Sequence, residues 1–462
     1  MKETNLLKNT MYLTIGSLGT KLINFMIVPI YTYYLSTSQM GAFDLFETAK
    51  MFLIPILSLM VSDGIYRWMI ESDNKVQIIY NGLSIITKFI ILCTIIYFSL
   101  LLFIRVDFPI LYYLCIISAV YYGIFSNITR GFQNNFLYSI SGILYTLVLV
   151  SSNVVQIIIL NNSVKGLLIS QLLANILITF FLIIVQKNEF KNIFNQNKNV
   201  KLRSSILQFS LPLIPDQVNW WVVNASNRIF IKLFMGLSYN GIFSISCKFP
   251  SVIDIFNSVF TMAWTETAIL KHNSADSQKE FTEIFDNVMR ISLSIGILAI
   301  PATFIFIILF IDNSYHGAVK YLGLLYAGSV YHIFANFFGV GYTILKETKK
   351  LMYSSAIAAI VNVLINVLLI KYFGLYAASF STFLAYFCIF LIRFRDTNFL
   401  FKIKIDFKIF ILLNMLLILT IFCSALTSVM INFVILIIDL LLLYLINYKF
   451  IKLLIYKYIL RR

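Results

Sequence analysis

Apolar runs of roughly 20 residues recur from one end of this chain to the other. Each is long enough to cross about 30 Å of hydrocarbon at about 1.5 Å of helical rise per residue. In lipid every backbone donor and acceptor must find its partner within the chain, so only helices and closed barrels can span. A barrel would show segments of about 10 residues with alternating polarity, and these runs do not alternate. Of the 462 residues, 60% are hydrophobic and 12% charged, whereas a soluble domain is nearer 25% charged. The sequence therefore specifies an all-α, polytopic membrane protein.

Length and loop signals divide the chain into about fourteen spans. They are expected at 10–35, 43–62, 83–104, 109–129, 137–160, 166–186, 206–235, 241–265, 287–311, 319–342, 351–371, 374–392, 408–427 and 430–448. The last two come from one apolar run too long for a single crossing, with Thr427 and Ser428 as the turn. Lys and Arg collect in alternate short loops, from Lys2 and Lys8 through Lys187–Arg203 to Arg393, Arg395, Lys402 and Lys404. The other loops hold little beyond Arg105, Lys165, Lys320 and Lys371. Basic loops stay cytoplasmic, so both termini are expected inside, with no extracytoplasmic domain. The first apolar segment is long and lacks a small-residue cleavage site, so no cleavable signal peptide is expected. One polar linker stands out after the sixth span. The expected organisation is an N-terminal lobe over 1–186, a cytoplasmic linker over 187–205, a second lobe over 206–392, and a helix pair with a basic tail over 393–462.

The net charge of +16 invites a nucleic-acid reading. The basic residues lie in alternate loops rather than along one face, so positive-inside topology accounts for them. The five Cys (Cys93, Cys115, Cys247, Cys388, Cys423) are scattered and form no CxxC, so they read as small buried hydrophobes. The three His (His272, His316, His332) have no neighbours at metal-ligand spacing. No phosphate-binding GxxxxGK[ST] and no GxSxG nucleophile elbow occur. No cofactor or metal is implied.

Against this apolar background, six cations fall inside expected spans: Lys21, Lys50, Lys88, Arg228, Lys232 and Lys248. A cation near the bilayer centre costs about 2.5–3.5 kcal/mol on insertion scales, so such residues usually face a protein-lined polar cavity. Span seven is the most polar. On a helix, Gln217, Trp221, Asn224, Arg228 and Lys232 follow spacings of three and four and share a face. Pro212 and Pro215 loosen its first turn. Span one repeats the pattern with Thr14, Ser17, Lys21 and Asn24. Span two carries Glu47 and Lys50 and ends in Asp63-Gly-Ile-Tyr-Arg67; span eight carries Ser244, Lys248, Ser251 and Asp254. Glu47, Asp216 and Asp254 are the carboxylates placed to couple an ion.

Plainer readings stand beside these. Lys50 can pair with Glu47 one turn away. Lys88 sits near a span end and can snorkel, and Arg67 serves equally as a positive-inside anchor. A polar, cationic cavity suits an anionic cargo. Arg offers a planar fork matched to phosphate oxygens, and Lys a movable point charge. Trp220, Trp221 and Tyr31 can stack on sugars or simply pack. The halves also show a short repeat: Ser38-Gln-Met-Gly-Ala-Phe43 after span one and Ser238-Tyr-Asn-Gly-Ile-Phe243 after span seven. Repeated six-helix units with a site at their interface are a common transporter plan.

Ser210-Leu-Pro-Leu-Ile-Pro215, Trp220-Trp-Val-Val-Asn-Ala-Ser-Asn-Arg228, Asn240-Gly-Ile-Phe-Ser-Ile-Ser-Cys-Lys-Phe-Pro250 and Phe260-Thr-Met-Ala-Trp264 resemble the signatures of Wzx-type polysaccharide (O-antigen) flippases. Ser62-Asp-Gly-Ile-Tyr-Arg-Trp68 resembles the same family near the N-terminus. The resemblance covers the whole length. It implies the fold of the multidrug/oligosaccharidyl-lipid/polysaccharide exporters, with two lobes of about six helices each around a V-shaped cavity. It implies translocation of undecaprenyl-pyrophosphate-linked sugar repeat units in the cell membrane, with a polysaccharide polymerase and a chain-length regulator as partners. It places Arg228 and Lys248 in the cavity wall. The family often has Ser-Asp-Arg where this chain has Ser226-Asn227-Arg228, so no coupling carboxylate carries over to Asn227. Two other functions compete. A drug/cation antiporter of the same fold would need an acidic cavity. A membrane polymerase or ligase would need a sizeable external loop to hold catalytic residues.

Overall fold

The computed structural model describes residues 19–20, 23, 25–101, 107–271, 277–345, 347–425 and 428–458. Every regular element among them is helical. In the first half these are α1 (Val28–Tyr34), α2 (Thr37–Leu57), α3 (Val61–Glu71), α4 (Lys75–Leu100), α5 (Pro109–Gly131), α6 (Asn135–Val154), α7 (Ser163–Val185) and α8 (Val200–Ser210). There follow α9 (Leu213–Phe234), α10 (Leu237–Lys248), α11 (Ser251–Lys271), α12 (Ser277–Phe310), α13 (Leu322–Ile344), α14 (Thr348–Phe373), α15 (Leu375–Phe401), α16 (Phe407–Ala425) and α17 (Val429–Tyr458). Among the described residues, nine helices are long and apolar enough to cross a membrane, and α2 with α3 pass the same test as a pair bent by 54°. The helical membrane class read from the apolar runs is what forms.

The chain divides into two compact units: Met1–Leu35 with Ala42–Trp221, and Ser36–Gly41 with Val222–Arg462. The divisions fall inside α2 and α9, so each of these helices begins in one unit and ends in the other.

In the first unit, α3, α4, α5 and α8 close over Val61, Ile65, Met69, Ile79, Ile86, Ile124, Ile128 and Ile206, all buried. The bend between α2 and α3 has a local cause. Pro55 lacks an N–H and interrupts the helical ladder. Ser58 then donates its hydroxyl to the Pro55 carbonyl at 3.3 Å and accepts from the Met60 N–H at 3.2 Å. Leu59 and Met60 sit at φ of 50° and 51°, a left-handed conformation costing of order 1–3 kcal/mol per non-glycine residue.

The polar stretch after α7 is ordered by one side chain. Asn81 is fully buried on α4. Its Oδ1 accepts from the Asn199 N–H at 3.0 Å and from Arg203 Nε at 2.8 Å. Asn199 in turn caps α8 by accepting from the Leu202 N–H at 3.0 Å.

In the second unit the repeated sequence motif comes together on itself. A Cβ on Gly41 would collide with the Leu237 carbonyl, and one on Gly241 with the Thr37 carbonyl. Only glycine permits so close an approach of two backbones. Asn240 seals it by donating to the Gly41 carbonyl at 2.9 Å. Beyond this crossing lies an aromatic core in which the Trp264 ring stacks on Phe337 at 4.3 Å, with Phe281, Phe285, Phe334, Phe338 and Phe401 around it.

Several span boundaries differ from expectation. The segment 206–235 is not one helix: Leu211 and Pro212 divide α8 from α9. The segment 241–265 is likewise broken at Phe249 and Pro250. Proline ends a helix because it removes a backbone donor and restricts the residue before it. Span 374–392 continues to Phe401, so Arg393 and Arg395 lie in α15 rather than in a loop. Arg393 is 2% exposed. Its guanidinium donates to Ser354 Oγ at 3.1 Å, Ser355 Oγ at 3.1 Å and the Ala335 carbonyl at 3.2 Å, joining α13 and α14 to α15.

Candidate functional site

The first unit holds a compact ionic cluster. On α2, Lys50 Nζ lies 2.7 Å from Glu47 Oε1 and donates to Gln171 Oε1 at 3.0 Å. Gln171, reaching from α7, donates its amide to the same Glu47 oxygen at 2.5 Å. The three side chains satisfy one another, which is what two ions need away from bulk water. Nearby, Asn153 donates to the Tyr31 hydroxyl at 2.7 Å. Trp221 Nε1 donates to the Thr48 carbonyl at 2.7 Å and its ring meets Phe52 at 4.8 Å.

The second unit gathers its polar groups on α9, α11, α13 and α15. On α9, Ala225, Ser226, Asn227 and Ile231 are buried and Arg228 is half-buried, while Lys232 is exposed. Asp254 of α11 approaches His332 of α13, with Oδ1 and Nδ1 3.4 Å apart. Asn336, one turn along α13, places its Nδ2 3.2 Å from the other imidazole nitrogen. Tyr386 of α15 stacks on the imidazole at 4.4 Å and is 6% exposed. Tyr386 also lies within electrostatic range of Asp254, Cys247 and Arg228.

Beside this group runs an uncharged network. Asn227 Nδ2 donates to Thr382 Oγ1 at 2.7 Å and to the Ala378 carbonyl at 3.2 Å. Asn366 donates to Asn227 Oδ1 at 2.7 Å, and Asn362 and Ser381 complete the set. Asn227, Asn362, Asn366 and Ser381 are each 2% exposed or less. Amides and hydroxyls can be buried this way because each both donates and accepts.

The structure thus treats the sequence-derived residues unequally. It joins Lys50 to Glu47, pins Trp221, and sets Arg228 and Asp254 on helices of one unit. Arg67, Gln217, Lys232 and Lys248 are exposed. Lys21 and Asn24 lie outside the described residues, as do the side chains of Asp216 and Asn224. Four participants carried no sequence signal that was used: Gln171, His332, Asn336 and Tyr386. The pairs Asn362/Asn366 and His332/Asn336, at one-turn spacing within apolar spans, were the signals available.

The family described as "Polysaccharide biosynthesis protein" matches residues 6–265. No curated protein sequence matches the chain. Among solved structures, the lipid II flippase MurJ in an inward closed conformation aligns with a TM-score of 0.72 at 13% identity, covering 96% of this chain and 98% of that one. An inward-facing multidrug resistance MATE family transporter of the MOP superfamily aligns with a TM-score of 0.62 at 14% identity, over 85% of this chain and 96% of that one. A MATE in complex with MaL6 gives 0.59 at 14% identity, over 86% and 97%. At these identities the likeness is one of fold.

Proposed function

Because the chain belongs to the polysaccharide biosynthesis protein family and shares its fold with the flippase MurJ and the MATE transporters, we propose that it is a flippase for lipid-linked oligosaccharide. The cargo in this reading is an undecaprenyl-pyrophosphate-linked repeat unit, moved by alternating access across the cell (inner) membrane, with both termini cytoplasmic. The observation that carries it is Arg228. It is a permanent cation, half-buried on the part of α9 that belongs to the second unit, where Tyr386, His332 and Asp254 also lie. A pyrophosphate must shed water to cross, and a guanidinium replaces that hydration with directed, charge-assisted bonds. Lys248, in the same unit, supports it in this proposal. Lys50 acts through Glu47, which it already binds. A drug/cation antiporter is the second reading, disfavoured by the cationic residue at this position.

The test is a deletion strain. A flippase acts after its cargo is assembled, so undecaprenyl-linked units of normal composition should accumulate on the inner face while surface polysaccharide is lost. Lipid-linked units of altered sugar composition would instead indicate an enzyme of assembly and end the flippase reading.

A further inference from the structure

Arg130 lies in the last turn of α5, where a cation ordinarily answers a helix's unpaired carbonyls. The fold gives that task to Lys75 of α4, whose Nζ donates to the Gly131 carbonyl at 3.2 Å. Arg130 is held differently. Its guanidinium lies over two tyrosine rings, 4.6 Å from the centre of Tyr66 on α3 and 5.3 Å from that of Tyr138 on α6. A cation seated on ring faces keeps its N–H groups for other partners. The guanidinium makes no hydrogen bond or ion pair to any described residue, and its Nε is buried without an acceptor. The Tyr66 and Tyr138 hydroxyls likewise bond to no described residue. A buried donor left open in a folded chain is rare enough to need a reason. A residue serving only as a positive-inside anchor would point its donors into water.

This corner of the first unit mixes charge with apolar surface. Lys75 also lies over the Phe132 ring, at 5.7 Å. Phe190 meets Phe132 edge-on at 6.2 Å and Phe125 at 5.9 Å, so the linker after α7 begins at the same place. Lys187 and Lys191, on either side of Phe190 in the chain, are exposed. Asp63 lies within electrostatic range of Arg130 but forms no ion pair with it, and its carboxylate accepts from Ser62 Oγ at 3.2 Å. Asp73 and Glu189 are exposed in the loops beside it. Exposed charges of either sign are screened by water, so the specificity of the corner rests on Arg130. Ile70 at the end of α3 and Phe136 at the start of α6 are 44% and 54% exposed.

We propose that Arg130, with Tyr66 and Tyr138, binds a lipid-borne phosphate at the membrane boundary. A guanidinium matches phosphate oxygens with two parallel, charge-assisted bonds, and each tyrosine hydroxyl can donate to the same group. The ring contacts hold the guanidinium in place before the anion arrives, which lowers the ordering cost of binding. The exposed Ile70 and Phe136 offer the lipid's chain an apolar seat, for which a free anion would have no use. Tyr66 belongs to Ser62–Trp68, a stretch that the role given to Arg228 leaves unexplained. The site lies wholly in the first unit and does not depend on the cargo reading of Arg228.

The experiment uses the full chain, purified in detergent, stripped of lipid and titrated with phosphatidylglycerol or with a polyprenyl pyrophosphate. Native mass spectrometry counts the lipid retained. Arg130→Gln should bind about tenfold more weakly than the native protein, with Arg130→Lys between them. A loss confined to phosphatidylglycerol identifies a resident membrane lipid, and a loss confined to the polyprenyl pyrophosphate identifies the cargo on its way in. A loss for both identifies a site that reads the phosphate and not the chain behind it. Equal binding of both lipids by native protein and folded Arg130→Gln overturns the proposal. So does displacement of the lipid by equimolar inorganic phosphate, because the chain would then contribute nothing. Should Arg130→Gln fail to fold, Tyr138→Leu decides. It leaves the guanidinium in place and removes one ring, so binding should weaken about threefold, and unchanged binding overturns the proposal.

Discussion

At the scale of single residues, an ion within an expected span means something different according to its partners. Arg228 and Lys50 looked alike in the sequence. Lys50 proves to be bound by Glu47 and Gln171, whereas Arg228 is half-buried in the unit that holds Tyr386, His332 and Asp254. Their substitutions should therefore differ in kind. Arg228→Ala removes a charge-assisted bond worth about 1.5–3 kcal/mol, roughly ten- to a hundredfold in cargo affinity. Arg228→Lys keeps the charge, loses the fork, and should be milder. Surface polysaccharide in a complemented deletion strain, at matched protein level, reports the effect; Lys88→Ala, at an exposed position on α4, is the control and should be nearly silent. Lys50→Met should act on stability instead. It leaves the Glu47 carboxylate without its counter-ion and Gln171 Oε1 without its donor, costing about 1–3 kcal/mol. Adding Glu47→Gln should recover much of that loss, because the stranded charge is then gone. Thermal unfolding in detergent reads both.

At the scale of elements, the backbone crossing of α2 and α10 is the tightest constraint. It is built from a motif the chain uses twice, Ser38–Phe43 and Ser238–Phe243, and the two copies pack against each other through their glycines. Gly241→Val places two methyl groups where the Thr37 carbonyl sits. The helices must separate, breaking the Asn240 bond to Gly41 as well. The expected result is loss of monodisperse protein in detergent, whereas Gly123→Ala, at a position with open space around it, should be tolerated. The breaks at Leu57–Val61, Leu211–Pro212 and Phe249–Pro250 belong to the same scale. Each follows from a nearby proline; Pro212 signalled its break in the sequence, while at the other two apolar residues continue across the break. Hydropathy reports what a residue transfers into, not whether its helix is continuous.

At the scale of the whole molecule, topology is the property on which the functional reading depends. Lys and Arg concentrate in the segment from Lys187 to Arg203, and the structure fastens part of that segment to α4 through Asn81. With this segment cytoplasmic, a single Cys at Asn197 in a Cys-less background should resist an impermeant thiol reagent in intact cells and react after permeabilisation. Ready labelling of intact cells would invert the orientation and with it the direction assigned to transport.

The sequence by itself determined the class of protein, most of its long apolar helices and the short motif it uses twice. All of these are local properties, set by the length of an apolar run or by a few neighbouring residues. It could not determine which polar faces meet. Glu47 and Gln171 are 124 residues apart, Asp254 and His332 78 apart, and Gly41 and Asn240 199 apart. Nothing in one segment's periodicity names its partner in another. Arg393 shows the same limit: a basic residue near the end of an apolar run reads as a loop anchor, and only the packing of α13, α14 and α15 around it turns it into a buried core donor. A helix's own residues decide which side must leave lipid; the tertiary structure decided what waits there, because a polar group buried in the bundle is tolerated only where another helix supplies its hydrogen bonds.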